Sequence, residues 1–170
     1  MKVAFCTSWE RERDGIAGFA AAVVPRLRSA GEVELVRLEL NRPEREFYRR
    51  AAERANRCDL CHLQHNYVLF NGLFPWRERL RFFLRRLEVP VVITFHEFRD
   101  RYPAAPLPAL RSVRGLLPWL KRAALNRSSL LGMTAWLGAY HRAAASRAAR
   151  LHVHTSLHRR LLAGMGIDEE

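Results

Sequence analysis

At 170 residues, with 49% hydrophobic and 27% charged side chains, the chain has the size and composition of one globular domain with a substantial core. Its 29 basic and 17 acidic residues give a formal net charge of +12, nearly all arginine because Lys2 and Lys121 are the lysines. That excess suits phosphate-bearing partners or an anionic membrane surface, or helices solvated by arginine. Three cysteines exclude a disulfide scaffold. The charged run Glu10–Asp14 interrupts any apolar leader, so a cytoplasmic chain is expected.

The first element is a short apolar run, Lys2–Thr7, read as a buried strand. A charged loop containing Gly15 leads into an alanine-rich helix from about Ile16 to Ser29, closed by Gly31 and kinked or shortened by Pro25. Glu32–Leu40 alternates apolar and charged residues with strand period, and Glu44–Arg57 reads as a charged helix. Next comes CDLCHLQHNYVLFNG (58–72), a strand that turns polar at Gln64–Tyr67. Trp76, Leu80, Phe83, Leu84 and Leu87 recur at helical spacing, with arginines on the opposite face.

Val91–Phe95 is a continuous apolar run, as a central parallel strand requires. Asp100–Pro118, with four prolines, is an irregular connection before helix extends to about Ala149. The uncharged stretch Ser128–Tyr140 is too short to span a bilayer. A strand at Leu151–Thr155 and a helix from about Ser156 complete the order. Strand and helix alternate throughout, so the expected fold is α/β: a Rossmann-like, doubly wound, mainly parallel sheet with helices on both faces. In such sheets ligands bind beyond the carboxyl ends of the strands. Ser8, Gly15 and Gly18 follow the first strand; His65, Asn66 and Tyr67 the third; His96 and Glu97 the fourth; Thr155 and Ser156 the last.

Each candidate has a chemical reading and a structural one. Gly15-Ile16-Ala17-Gly18 at a helix start can admit a phosphate to backbone N–H groups, or simply make a turn. It is neither a dinucleotide fingerprint nor a P-loop. Cys58-x-x-Cys61 opens a strand, where residues three apart point to opposite faces, so zinc and redox readings are disfavoured and Cys61 is expected in the core. His96-Glu97 can handle a proton or a sugar hydroxyl at the end of its strand. His152 and His154 share a strand face, leaving a metal site open beside the plainer reading of satisfied histidines. His158-Arg159-Arg160 opens a helix and could meet a phosphate.

The segments GIAGFA, DLCHLQHNYVLFNG, PVVITFHE and LHVHTSLHRRLLAGMGI together resemble the N-terminal Rossmann-like domain of family-4 retaining glycosyltransferases of the two-domain GT-B architecture, from about Lys2 to Ile167. The resemblance implies that residues 1–170 form a single acceptor-binding domain, with a sugar passing from a nucleoside diphosphate to an acceptor hydroxyl with retention. It places Gly15 and Gly18 near the donor phosphates, His96 (with Glu97) facing the transferred sugar, and Gln64, His65, Asn66 and Tyr67 on the acceptor side. It implies no cofactor and no metal; the nucleotide-sugar is a substrate. The family's donor-side pair of glutamates, eight positions apart, is absent here, so the expected partner is a C-terminal donor-binding domain or a separate chain supplying it, and this chain alone is expected to be inactive.

The basic amphipathic helix and Leu116–Leu120 allow peripheral contact with a membrane carrying a lipid-linked acceptor. The alternative is a non-catalytic binding or partner module of the same fold. No nucleic-acid reader motif or basic–aromatic strand platform is legible, so nucleic acid is not an expected partner.

Overall fold

The computed structural model describes residues 1–8, 15–39, 44–70, 79–96, 139–164 and 167. The elements are β1 (Lys2–Thr7), α1 (Gly15–Ala30), β2 (Glu32–Arg37), α2 (Arg45–Ala55), β3 (Leu60–His65), a 3₁₀ turn (Tyr67–Phe70), α3 (Leu80–Leu84) and β4 (Val91–Phe95). They are followed by α4 (residues 139–145), β5 (Arg150–Val153) and α5 (Ser156–Ala163). The strands form one all-parallel, five-stranded sheet in the order β2-β1-β3-β4-β5. This is a Rossmann-like α/β fold.

The sheet order dictates the layers. From β1 the chain steps one way to β2, then β2→β3, β3→β4 and β4→β5 all step the other way. Crossovers of one hand therefore put α1 on one face and the later helices on the opposite face. The core divides accordingly. Phe5 packs with Ala20 and Val24 of α1. The larger cluster lies across the sheet, where Tyr48 of α2, Phe83 of α3, Tyr140 of α4 and Leu162 of α5 join Leu63, Ile93 and Phe95. Tyr48 donates its hydroxyl hydrogen to the Leu69 carbonyl at 2.6 Å, tying α2 to the 3₁₀ turn.

β4 occupies the expected residues, apolar but for Thr94 and covered on both sides. α1 runs through Pro25 to Ala30, so the proline does not shorten it. Pro25 and Ala21, whose carbonyl would have received the missing N–H, both lie on the exposed side of the helix, where that carbonyl is within reach of solvent. β2 ends three residues early, at Arg37, although the Leu38 N–H still reaches the Thr7 carbonyl at 2.8 Å. The helix expected around Trp76–Leu87 is described only as α3, and residues 71–78 lie outside the described set. Its Leu80, Phe83 and Leu84, with Leu87 beyond, are all buried, so that apolar stripe packs against the protein rather than facing a bilayer. Leu116–Leu120 lies outside the described residues, and no described helix is long and apolar enough to cross a membrane.

Candidate functional site

Strand period and register bring six polar side chains onto the α1 face. In β3, His62 and Gln64 point to that face, while Cys61, Leu63 and His65 point to the other. Gln64 is in register with Thr94, and Thr94 with His152, a polar row across three strands. His62, His96 and His154 lie two residues along from members of that row and share its face.

These groups are bonded in series. His96 Nε2 lies 2.6 Å from Gln64 Oε1, and Gln64 Nε2 lies 2.9 Å from His62 Nε2, which also stands 2.9 Å from Thr94 Oγ1. A carbonyl oxygen only accepts, so His96 Nε2 carries hydrogen and donates; the amide nitrogen then donates to His62. That assignment requires a neutral His62. Its pKa is lowered to about 4, first by burial and then by the neighbouring His152. On the other side of His96, Nδ1 lies 3.3 Å from His154 Nε2. Burial, then His152 and His158, pull the His154 pKa below its ordinary value.

Phe19 of α1 meets both rings edge-on, with centroids 4.8 Å from His96 and 5.6 Å from His154. It brings the start of α1 to the histidines. Gly15 is the first residue of α1, and a Cβ at Gly15 or Gly18 would meet nothing within 4 Å among the described residues.

His65 is where sequence expectation and structure part. It was expected beside Gln64 and His96 on the acceptor side, yet its ring is wholly buried on the opposite face. There Nε2 lies 2.5 Å from the Tyr140 hydroxyl, and the ring stacks on Phe70 and contacts Phe95. Strand alternation is the reason: Gln64 and His65 are adjacent in sequence, so one residue of offset separates their faces. His65 reaches the site through its backbone carbonyl, which accepts from the His96 N–H at 3.3 Å. Burial, then His141 and His96, push its pKa well below the ordinary value.

Asn66 follows β3, half-buried, and its carbonyl caps the 3₁₀ turn by accepting from the Leu69 N–H at 3.1 Å. Tyr67 opens that turn, and its side chain lies outside the described residues, as does Glu97. The Thr155 hydroxyl accepts from the His158 N–H at 3.1 Å, capping α5, so its role is structural. Cys58 lies in the bend before β3 rather than in the strand, so the expected strand alternation does not apply to the pair; Cys61 is in the core as expected, its Sγ 3.6 Å from Cys6 Sγ, and Cys58 is buried in the same cluster. Among the described residues no group of three or more His, Cys, Asp or Glu is placed to hold a metal ion.

His62, Thr94 and Phe19 are site residues that the sequence reading did not assign, and His154, read there with His152, meets His96 instead. The signal for His62 was its position two residues before Gln64. A separate cavity of about 560 Å³ lies at the β5 edge, lined by Arg150, His152, Arg159 and Leu162 among others, and it does not reach His96. No family model, curated protein or solved structure matches the chain.

Proposed function

We propose that the chain is the acceptor-binding N-terminal domain of a nucleotide-sugar-dependent glycosyltransferase, working with a donor-binding domain to move a sugar from a nucleoside diphosphate to an acceptor hydroxyl with retention. The observation that carries the reading is the placement of His96: it ends a central parallel strand, its ring is anchored by Gln64, and it lies against the glycine-containing start of α1.

In this reading the backbone at Gly15–Gly18 receives donor phosphate, and the helix start favours its negative charge. His96 is the catalytic residue. Its Nε2–H is committed to Gln64, which leaves Nδ1 to accept from a sugar hydroxyl. His154, exposed and at a long 3.3 Å, is the group such a hydroxyl displaces. The acceptor side falls to Asn66, beside Gln64, while His65 holds the strand end from within the core. The protein's contribution is then orientation of the acceptor and stabilisation of the departing diphosphate, with ring and amide fixed before the substrates arrive.

The test is to combine the chain, fused or mixed, with a donor-binding domain of the family-4 type and follow transfer of labelled sugar from nucleotide-sugar to acceptor. His96→Ala is expected to lower turnover on the order of 10²-fold, the scale for losing one preorganised polar contact to a reacting group. Unchanged turnover removes His96 from the mechanism, and no transfer in any functional pairing removes the reading itself.

A further inference from the structure

We propose that His96 and His154 form an open, two-imidazole site for a divalent transition-metal ion of the zinc class, with water completing the coordination sphere. The inference does not rest on glycosyl transfer, and an ion held there competes with the sugar hydroxyl for His96 Nδ1, so zinc is expected to inhibit any transfer. It starts from the contact between His96 Nδ1 and His154 Nε2, at 3.3 Å. Two imidazole nitrogens bound to one tetrahedral zinc, each at its usual bond length, stand about 3.3–3.4 Å apart. The ring centroids are 4.9 Å apart, closer than a straight N–H···N alignment of two imidazoles would put them, so the rings meet at an angle. A straight bond serves a shared proton best; an angled approach is what convergence on a third atom requires.

The second observation is the partner of the other His96 nitrogen. A histidine that binds metal through one ring nitrogen characteristically donates its remaining N–H to a fixed acceptor, which sets the tautomer and strengthens the ligand. Gln64 Oε1 does this at 2.6 Å, and Gln64 is itself wholly buried and held by His62. The Nδ1 lone pair of His96 is thereby directed at His154. His154 is exposed, giving an ion a path from solvent. Phe19 walls one side of both rings with hydrocarbon. Imidazole nitrogen suits zinc, copper and nickel over calcium or magnesium, so the class of ion follows from the ligands. In the empty site His96 Nδ1 accepts, so the His154 hydrogen sits on Nε2; metal binding shifts that hydrogen to Nδ1 by exchange with solvent and leaves Nε2 to the ion.

The experiment is titration of the untagged 170-residue chain with Zn2+ at pH 7.5, by calorimetry and by competition with a chromogenic chelator. One ion per chain in the micromolar range is expected. His154→Ala and His96→Ala should each weaken binding by about tenfold or more, the scale on which ligand-shell changes act. His158→Ala should bind as the parent does, and affinity should fall below pH 6 as protons compete. No stoichiometric binding overturns the proposal. So does a folded His154→Ala protein with parental affinity, or a loss equally large in His158→Ala, which would mean diffuse surface binding. His154 is exposed, so its alanine variant carries the test even if the His96 variant fails to fold.

Discussion

Lowering the pH from 7 to 5 should remove a large part of the folding stability, and three histidines set the size of the loss. Burial pulls the pKa of His62 and of His141 to about 4, and that of His65 well below its ordinary value. In the unfolded chain each titrates near 6.5. Between those limits the unfolded chain takes up protons that the folded chain refuses, so stability is full above about pH 6.5 and falls as pH falls towards 4. The slope is about 1.4 kcal/mol per pH unit per group, or about 2 kcal/mol each by pH 5. His62, the least enclosed, takes the smallest share, and the three together reach about 4–6 kcal/mol against a typical total of about 5–15 kcal/mol. Carboxylates do not confuse this window. Glu46, held down to about 2 by hydrogen bonds from Arg49 and Arg50, contributes stability that is lost only as pH falls from 4.5 through that value. Urea denaturation followed by circular dichroism at pH 7, 6 and 5, at fixed ionic strength, measures the slope directly. His141→Leu should flatten it by about one group's worth. Equal stability at pH 5 and pH 7 would refute the assignment of these imidazoles as neutral in the folded state.

Tyr140→Phe removes the hydroxyl bonded to His65 in a fully buried setting and should cost about 1–3 kcal/mol in denaturant unfolding, the range for orphaning a buried polar group. Gly18→Ala should stabilise α1 by about 0.5–1 kcal/mol, because the added methyl meets nothing among the described residues; if the same variant lowers transfer in the reconstituted enzyme, close approach of a ligand at that turn is the cause. Gly31→Ala should be destabilising, by about 1–3 kcal/mol, because its Cβ would stand 2.8 Å from the Met1 carbonyl oxygen where β1 and β2 begin to pair. All three thiols are buried, and Cys6 is further quieted by its hydrogen bond with Cys61 and by burial, so a thiol reagent should react only at the rate of unfolding. Rapid labelling of the native chain would contradict the placement of β1 and β3.

The fold was legible where local chemistry and burial agree. Val91–Phe95 is apolar but for Thr94 because it is central, and Pro90 marks its start, so its bounds were readable to the residue. β2, at the edge, has only one buried position, Val36, and its alternating pattern runs past the last ladder bond, so its end was misplaced. The site was half legible. Gln64 and His96 stand at strand ends and announce themselves as polar groups where apolar ones are expected. Their faces were not assigned, and alternation alone would have sent His65 to the core side once Gln64 was placed opposite. The approach of His154 to His96 was beyond sequence pattern: 58 residues separate them, and only the register of β4 against β5 brings the rings together.

Why these histidines lie where they do follows from the sheet order. On the face away from α1, the later helices supply hydrocarbon, and β3, β4 and β5 answer with Leu63, Ile93, Phe95, Leu151 and Val153. His65 is the polar member of β3 on that face, and it is tolerated because Tyr140 meets it. On the α1 face the same three strands present His62, Gln64, Thr94, His152 and, just beyond their ends, His96 and His154. Polar groups removed from water must bond to something, and here they bond to one another in sequence from Thr94 through His62 and Gln64 to His96 and His154. Such a row contributes little as a core. It makes a good site, because the rings of His62 and His96 are held in place by Gln64 before a ligand arrives. A slip of one residue in the β3–β4 register would exchange the two faces, placing Leu63 among the histidines and Gln64 against Phe83. Strand pairing and site chemistry are therefore one constraint, and Gln64, whose single amide holds the imidazoles of His62 and His96, is the residue on which both depend.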